Sequence, residues 1–94
     1  MSKFLITAGK GFQLTFENGW TVSVQFGKHN YCENRESLSR EVVKKGESQD
    51  AEIAAFPEEG LWYDFGSDTV KGYCSADEVA QFIAMIQALP SCLL

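Results

Sequence analysis

The chain has 94 residues, a length that fits one domain around a single hydrophobic core. Its net charge of −5 argues against a general nucleic-acid surface, because phosphate binding needs a basic footprint. No apolar run approaches membrane-spanning length, and three widely spaced cysteines predict reduced thiols in a cytoplasmic protein that binds no membrane.

The first half of the chain predicts three strands. Phe4–Ala8 is a short candidate strand that turns at Gly9-Lys10-Gly11. Apolar and polar residues then alternate from Phe12 to Phe26, on both sides of Glu17-Asn18-Gly19. A three-residue loop there gives the ribbon one wholly apolar face, whereas a two-residue loop would mix both faces. We therefore predict the three-residue loop, with Gly19 in the left-handed conformation of a bulged turn.

The stretch from Gly27 to Asp50 predicts no secure strand or long helix. Its first part, Gly27–Arg35, is the densest polar patch of the chain, and residues 36–50 are predicted to form a mobile loop. One helical turn around Leu38, Val42 and Val43 is compatible with the spacing.

The second half predicts a second hairpin over Ala51–Phe65, with a loop at Glu58-Glu59-Gly60. This register pairs Pro57 with Leu61, Ala55 with Tyr63 and Ile53 with Phe65, and it sets Phe56 opposite Trp62 on a mixed face. A four-residue loop that starts at Pro57 remains an alternative.

The C-terminal part predicts a last strand over Thr69–Cys74 and then a helix. Ser75 and Glu78 have the spacing of a capping box, and Pro90 marks the helix end. Five apolar residues follow the box at helical spacing: Val79, Phe82, Ile83, Ile86 and Leu89. The chain is thus predicted to be one α+β domain over residues 1–94, with an antiparallel sheet of five or six strands and one C-terminal amphipathic helix packed on one face. The apolar tail after Pro90 either tucks in or meets a partner.

Several strings resemble small, mostly uncharacterised accessory proteins of tailed bacteriophages and prophages. These strings are GFQLTFENGWTVSVQFG, NYC, AEIAAF, DFG and DTVKGY followed by SADEVAQFI. The resemblance covers most of the chain except residues 36–50, and it brings no established active site with it. It implies a protein of the bacterial host cytoplasm that acts on the host by binding, either by blocking a defence protein or by sequestering a nucleotide signal.

The candidate binding surface is centred on the polar patch. Lys28, His29 and Arg35 concentrate positive charge there, while Tyr31 and Trp62 offer aromatic rings. Such residues suit either a nucleotide or a protein interface, and the sequence leaves both open. The full set of predicted ligand- or partner-binding residues is Lys28, His29, Asn30, Tyr31, Asn34, Arg35 and Trp62.

Catalysis and metal binding are weaker predictions. Cys32 and His29 have the spacing of a thiolate–imidazole pair, but no third group fixes their orientation. A metal site at His29, Cys32 and Glu33 lacks further convergent ligands. The sequence therefore predicts neither a cofactor nor a metal.

Three functional hypotheses follow. The first is a non-enzymatic binding protein that inhibits or sequesters a host component, which is either a host protein or a small anionic or nucleotide ligand. The second is a structural or assembly accessory of the virion, and the third is a small cysteine hydrolase. A homo-oligomer is compatible with the polar, uncharged face of the first hairpin.

Overall fold

The structure is a computed structural model that describes residues 2–8, 10–36 and 46–93. Within these ranges the chain forms one five-stranded antiparallel sheet, in the order β1-β2-β3-β4-β5, and a C-terminal helix. The elements are β1 (Lys3–Thr7), β2 (Gly11–Thr15), β3 (Thr21–Gln25), β4 (Ala51–Phe56), β5 (Lys71–Cys74) and α1 (Ala76–Gln87). The predicted α+β class is confirmed, and of the predicted five or six strands the sheet has five, with one C-terminal helix. The predicted helical turn at Leu38, Val42 and Val43 lies outside the described residues.

The central hairpin adopts the three-residue loop. Phe12 lies opposite Val24, and Leu14 lies opposite Val22. The Phe16 amide donates to the Trp20 carbonyl at 2.9 Å, which closes the loop, and Gly19 has a φ of 91°. The observed register confirms the one predicted from the alternation of faces, in which the apolar residues of both strands share one face.

The second hairpin differs from the prediction. The segment 61–65 is not a strand, although the Tyr63 amide donates to the Ala55 carbonyl at 2.9 Å. β5 occupies the position beside β4, with Cys74 opposite Ala51 and Lys71 opposite Ile53. The predicted pairing of Ile53 with Phe65 is therefore wrong. The rings of Tyr63 and Phe65 pack on the helix instead, with centroids 5.5 and 5.2 Å from the centroid of Phe82.

The helix begins where the sequence predicts. The Ser75 hydroxyl accepts from the Glu78 amide at 3.2 Å, and the Glu78 carboxylate accepts from the Ser75 amide at 2.9 Å. Val79, Phe82 and Ile86 are buried against the apolar sheet face, where the helix contacts β3 and β4. The core therefore lies between the helix and the middle of the sheet.

The helix end is held by a residue from the central turn. The Asn18 side-chain amide donates to the carbonyls of Ile86 and Leu89 at 2.9 and 3.0 Å, which ties the central turn to the carbonyl end of the helix. The Cys92 amide donates to the Asn18 carbonyl at 2.8 Å. The described part of the C-terminal tail thus tucks against the turn at Asn18.

Candidate functional site

The loop from Gly27 to Arg35 is a chain of tight turns. The Asn30 amide donates to the Gly27 carbonyl at 3.2 Å, while the Asn30 side chain accepts from the Gly27 amide at 3.1 Å. The His29 amide donates to the Arg35 carbonyl at 3.0 Å, which ties the two halves of the loop together. Backbone bonds of this kind hold the loop in one shape and leave its outer side chains free to be presented.

Two of the predicted binding residues instead anchor the loop. Asn34 is buried, and its side-chain amide donates to the carbonyls of Phe26 at 2.9 Å and Glu47 at 3.4 Å. Asn30 uses its side chain on the Gly27 amide. A buried amide with satisfied partners stabilises a local structure and does not face a ligand. The structure therefore places Asn34 beneath the surface that the loop presents.

Cys32 is buried as well, and its thiol donates to the Gly27 carbonyl at 3.5 Å. Burial raises the pKa of the Cys32 thiol, and the carboxylates of Asp50 and Glu52 add to the increase. The thiol, not the thiolate, is thus the favoured form near neutral pH, whereas a nucleophile needs the thiolate. The described residues also contain no group of three His, Cys, Asp or Glu side chains placed to hold a metal ion.

The loop rests on a β-bulge in the edge strand β5. Cys74 lies opposite Ala51, and Lys71 lies opposite Ile53. Two residues of β5, Gly72 and Tyr73, therefore oppose a single residue of β4, Glu52. Tyr73 has a φ of 55°, a conformation that aromatic residues seldom adopt. Its amide donates to the Tyr31 carbonyl at 2.8 Å. The bulge therefore turns the Tyr73 amide from the sheet to the loop.

Gly72 provides the space that brings the loop this close. A Cβ atom at Gly72 would lie 2.4 Å from the Tyr31 Cβ and 3.0 Å from the Tyr31 carbonyl oxygen. Both atoms are fixed by the loop backbone, so any larger residue at position 72 must displace the loop. We call the group Tyr31, Arg35, Gly72 and Tyr73 the loop–bulge corner.

The corner presents two aromatic side chains and a cation. Tyr31 is 46% exposed and Tyr73 is 57% exposed. The Arg35 guanidinium carbon lies 4.5 Å from the centroid of the Tyr31 ring, a cation–π arrangement. The guanidinium also donates to the His29 carbonyl at 3.2 Å and lies 3.8 Å from the Glu36 carboxylate. Arg35 is thus held over the ring before any partner arrives.

Backbone strain is concentrated in this corner. Among the described residues, His29 (φ 72°) and Tyr73 (φ 55°) are the non-glycine residues with positive φ. One lies in the loop and the other in the bulge that contacts the loop. Such conformations cost free energy and cluster at functional sites, where the surrounding structure enforces them.

Carboxylates border the basic residues of the loop. The Glu52 carboxylate accepts from the Tyr31 amide at 2.8 Å, and the Asp50 carboxylate accepts from the Glu33 amide at 2.6 Å. Glu33 in turn accepts from the Gln49 amide. The positive charges predicted to dominate the loop therefore lie beside several negative ones. This arrangement weakens the attraction for a free polyanion.

Trp62 lies elsewhere on the sheet. Its ring contacts Phe56, with centroids 4.9 Å apart, as the predicted opposition of these two residues implies. Phe56 faces Thr21 at one end of β4, whereas Glu52, which binds the loop, faces Gln25 at the other end. Four residues along a strand span about 13 Å. The structure thus separates Trp62 from the corner and leaves Lys28, His29, Tyr31 and Arg35 together on the loop.

Sequence reasoning missed Gly72, Tyr73 and Glu52. A glycine inside a strand pattern is a known signal of a bulge or of a close backbone approach, and Gly72 has both roles here. Tyr73 carried no signal of its own because a tyrosine in a short strand is ordinary. Glu52 carried none because its loop partner is 21 residues away in the sequence.

An apolar groove of about 280 Å³ lies between the helix and the central hairpin, and none of the four corner residues lines it. Its walls include Phe12, Phe26, Ala80 and Ile83, with Asp50 at the rim. Among the described residues that line the groove, none is a cation that could hold a phosphate, so this part of the chain does not match the nucleotide hypothesis.

Comparisons with protein-family models, with curated proteins and with solved structures found no match to this chain. None of the described helices is long and apolar enough to span a membrane.

Proposed function

We propose that this chain is a non-enzymatic binding protein, of the kind that tailed phages use to inhibit or sequester a host component, and that its loop–bulge corner binds a host protein. The observation that carries the proposal is the half-exposed Tyr31 ring under the Arg35 guanidinium. The phage context and the bacterial cytoplasm come from the sequence resemblance alone.

The chemistry of the corner favours a protein over a nucleotide. Tyr and Arg are enriched among the residues that dominate protein interfaces, and a preformed pair loses little side-chain entropy on binding. A nucleotide site would need unopposed cations for its phosphates. Here the carboxylates of Asp50 and Glu52 accept from amides of the loop that carries Lys28 and Arg35, so negative charge lies on the same loop. A host-defence protein therefore fits better than a nucleotide immune signal.

Cys32 supports the non-enzymatic reading over the cysteine hydrolase. The thiol is buried, donates to a backbone carbonyl and has a raised pKa. Cys32→Ala should leave the binding activity intact, whereas a hydrolase would lose all activity. The virion-accessory alternative is tested separately, by mass spectrometry of purified particles.

The test is quantitative enrichment of host proteins on three immobilised variants. Tyr31→Ala combined with Arg35→Ala removes the stacked pair but keeps the Tyr31 Cβ over Gly72 and the carbonyl that binds Tyr73. Trp62→Ala is the matched control, an exposed aromatic at the other end of β4. We expect one host protein to bind the wild type and Trp62→Ala, and to bind the double variant at least about tenfold more weakly.

Two outcomes would overturn the proposal. If the double variant retains full binding while its melting temperature is unchanged, the corner is not the interface. If Lys28→Ala with Arg35→Ala abolishes retention of a small anionic ligand seen by native mass spectrometry, and the affinity depends steeply on salt, the partner is a nucleotide or a similar anion.

A further inference from the structure

The apolar face of the sheet extends beyond the helix, onto the edge strand β1. Phe4 lies opposite Leu14 and Ile6 lies opposite Phe12, so both belong to the face that the helix covers. The helix makes its main contacts with β3 and β4, in the middle of the sheet. Phe4 is therefore 77% exposed and Ile6 is 89% exposed. Two large apolar side chains side by side on an edge strand are typical of a surface that another chain covers.

The outer backbone of β1 carries free hydrogen-bonding groups on these same two residues. In an antiparallel sheet, the backbone groups of successive residues point alternately to the two neighbouring strands. Because the Phe16 amide bonds to Trp20, on the side of β3, the residues of β2 that bond to β1 are Gly11, Gln13 and Thr15. Their partners Lys3, Leu5 and Thr7 use their backbone groups on β2. The amides and carbonyls of Phe4 and Ile6 consequently point away from the sheet.

We propose that a second copy of this chain pairs with β1, antiparallel, about a two-fold axis through Leu5. Only this register overlaps all five residues of the strand. It sets Phe4 opposite Ile6 of the partner subunit, and Leu5 opposite Leu5 of the partner subunit. The outward groups of Phe4 and Ile6 then form four backbone hydrogen bonds across the interface. The two five-stranded sheets become one sheet of ten strands.

The side chains of β1 are self-complementary in this register. Each Phe4 meets the partner's Ile6 on the same face, an aromatic–β-branched pair that stabilises neighbouring strands. Lys3, the one charged residue of β1, meets the partner's Thr7 and not the partner's Lys3. The strand has no proline and no charge at its centre, the devices that keep edges apart. A second copy therefore satisfies every position of the strand.

The position of the helix leaves room for this pairing. The helix lies over β3 and β4, about 10 Å inward from β1 at the usual spacing of strands. The two helices therefore remain far apart on the same side of the joined sheet. A contact of five residues per copy is small, so we expect a reversible dimer with a dissociation constant on the order of 10–100 µM, in the class of weak interfaces.

The experiment is sedimentation velocity of the full chain over a range of concentrations. We expect the wild type to change from monomer to dimer across that range. Leu5→Lys and Leu5→Glu each place two like charges face to face at the axis, so each variant alone should stay monomeric. An equimolar mixture of the two should dimerise again, because opposite charges then meet at the axis.

Leu61→Lys is the matched control. Leu61 is 91% exposed and precedes Tyr63, whose amide bonds to Ala55 on β4, three strands from β1 in the sheet order, so its variant should dimerise like the wild type. Circular dichroism and a thermal melt of each variant report whether the fold is kept.

The proposal is overturned if the wild type is monomeric throughout, including the case where β1 instead takes up an extended peptide from another protein. It is overturned equally if both Leu5 variants dimerise like the wild type, or if their mixture stays monomeric while the wild type dimerises.

Discussion

The two edges of the sheet end in different ways. β5 is short, carries a bulge at Gly72 and Tyr73, and has one amide bound to the loop at Tyr31. β1 is straight, runs for five residues without a bulge, and shows its outer backbone and two large apolar side chains. Proteins commonly block edges with bulges, loops or charges, because an open edge pairs with other chains.

The difference suggests a division of roles. The blocked edge displays polar and aromatic side chains in a fixed arrangement, which suits recognition of a different protein. The open edge offers backbone groups and a symmetrical set of apolar residues, which suits pairing with an identical strand. The proposed host contact and the proposed dimer therefore use opposite ends of the sheet, β5 and β1, and do not compete.

The largest expected effect is at the blocked edge. Gly72→Ala places a methyl group 2.4 Å from the Tyr31 Cβ, so the loop must move. We expect a loss of about 2 kcal/mol in the free energy of unfolding, the usual cost of overpacking, measured by urea denaturation. In a double-mutant cycle with Tyr31→Gly, which removes the opposing Cβ, the combined loss should be smaller than the sum of the two. Additive losses would show that Tyr31 does not lie on Gly72.

A second, smaller loss of stability is expected at the junction between β5 and the helix. β1 has no such junction. Ser75 follows the last residue of β5 and caps the helix. Ser75→Ala should lower the free energy of unfolding by about 1 kcal/mol through loss of this cap. Ser67→Ala, in an exposed turn, is the control and should have no measurable effect. Equal melting curves for the wild type and Ser75→Ala would contradict the observed cap.

The same junction predicts a dependence on pH. The hydrogen bond from the Ser75 amide lowers the pKa of Glu78, and nearby Lys71, 3.8 Å away, lowers it further. The pKa of Glu78 is therefore lower in the folded state than in the unfolded state. The ionised carboxylate stabilises the fold fully above the unfolded-state pKa, and this stabilisation is lost as the pH falls through the folded-state pKa. Between about pH 5 and pH 3, the melting temperature of Glu78→Gln should therefore fall less than that of the wild type. If the melting temperatures of the wild type and the variant fall equally over this pH range, the Glu78 charge does not contribute to stability.

The smallest expected effect is the stability difference between shortening Ile6 and shortening Ile53, which lie in one row across neighbouring strands. Ile6, Phe12, Val24 and Ile53 lie opposite one another from β1 to β4, yet Ile6 is 89% exposed and Ile53 is 2% exposed. Ile53→Val should cost about 1 kcal/mol, whereas Ile6→Val should change the stability of the monomer by less than about 0.5 kcal/mol. Measurement at low protein concentration keeps dimerisation out of the comparison. Equal losses would mean that β1 is covered within the monomer.

The sequence by itself determined the features that depend on near neighbours. The register of the central hairpin follows from alternation on both sides of Glu17-Asn18-Gly19, because a loop one residue shorter divides the apolar face. The start of the helix follows from Ser75 and Glu78, which lie within one turn of each other. In both cases the interacting groups are separated by only a few residues.

The tertiary structure decided which segment pairs with β4. Segment 61–65 has the alternation of a strand, but the rings of Tyr63 and Phe65 pack against Phe82 of the helix, and β5 takes the place beside β4. The sequence could not rank these options, because strand pairing depends on packing partners that are distant in the chain. Likewise, Asn34 and Asn18 look like exposed loop residues in the sequence. Only the fold brings Asn34 beneath its loop and the Asn18 amide to the end of the helix.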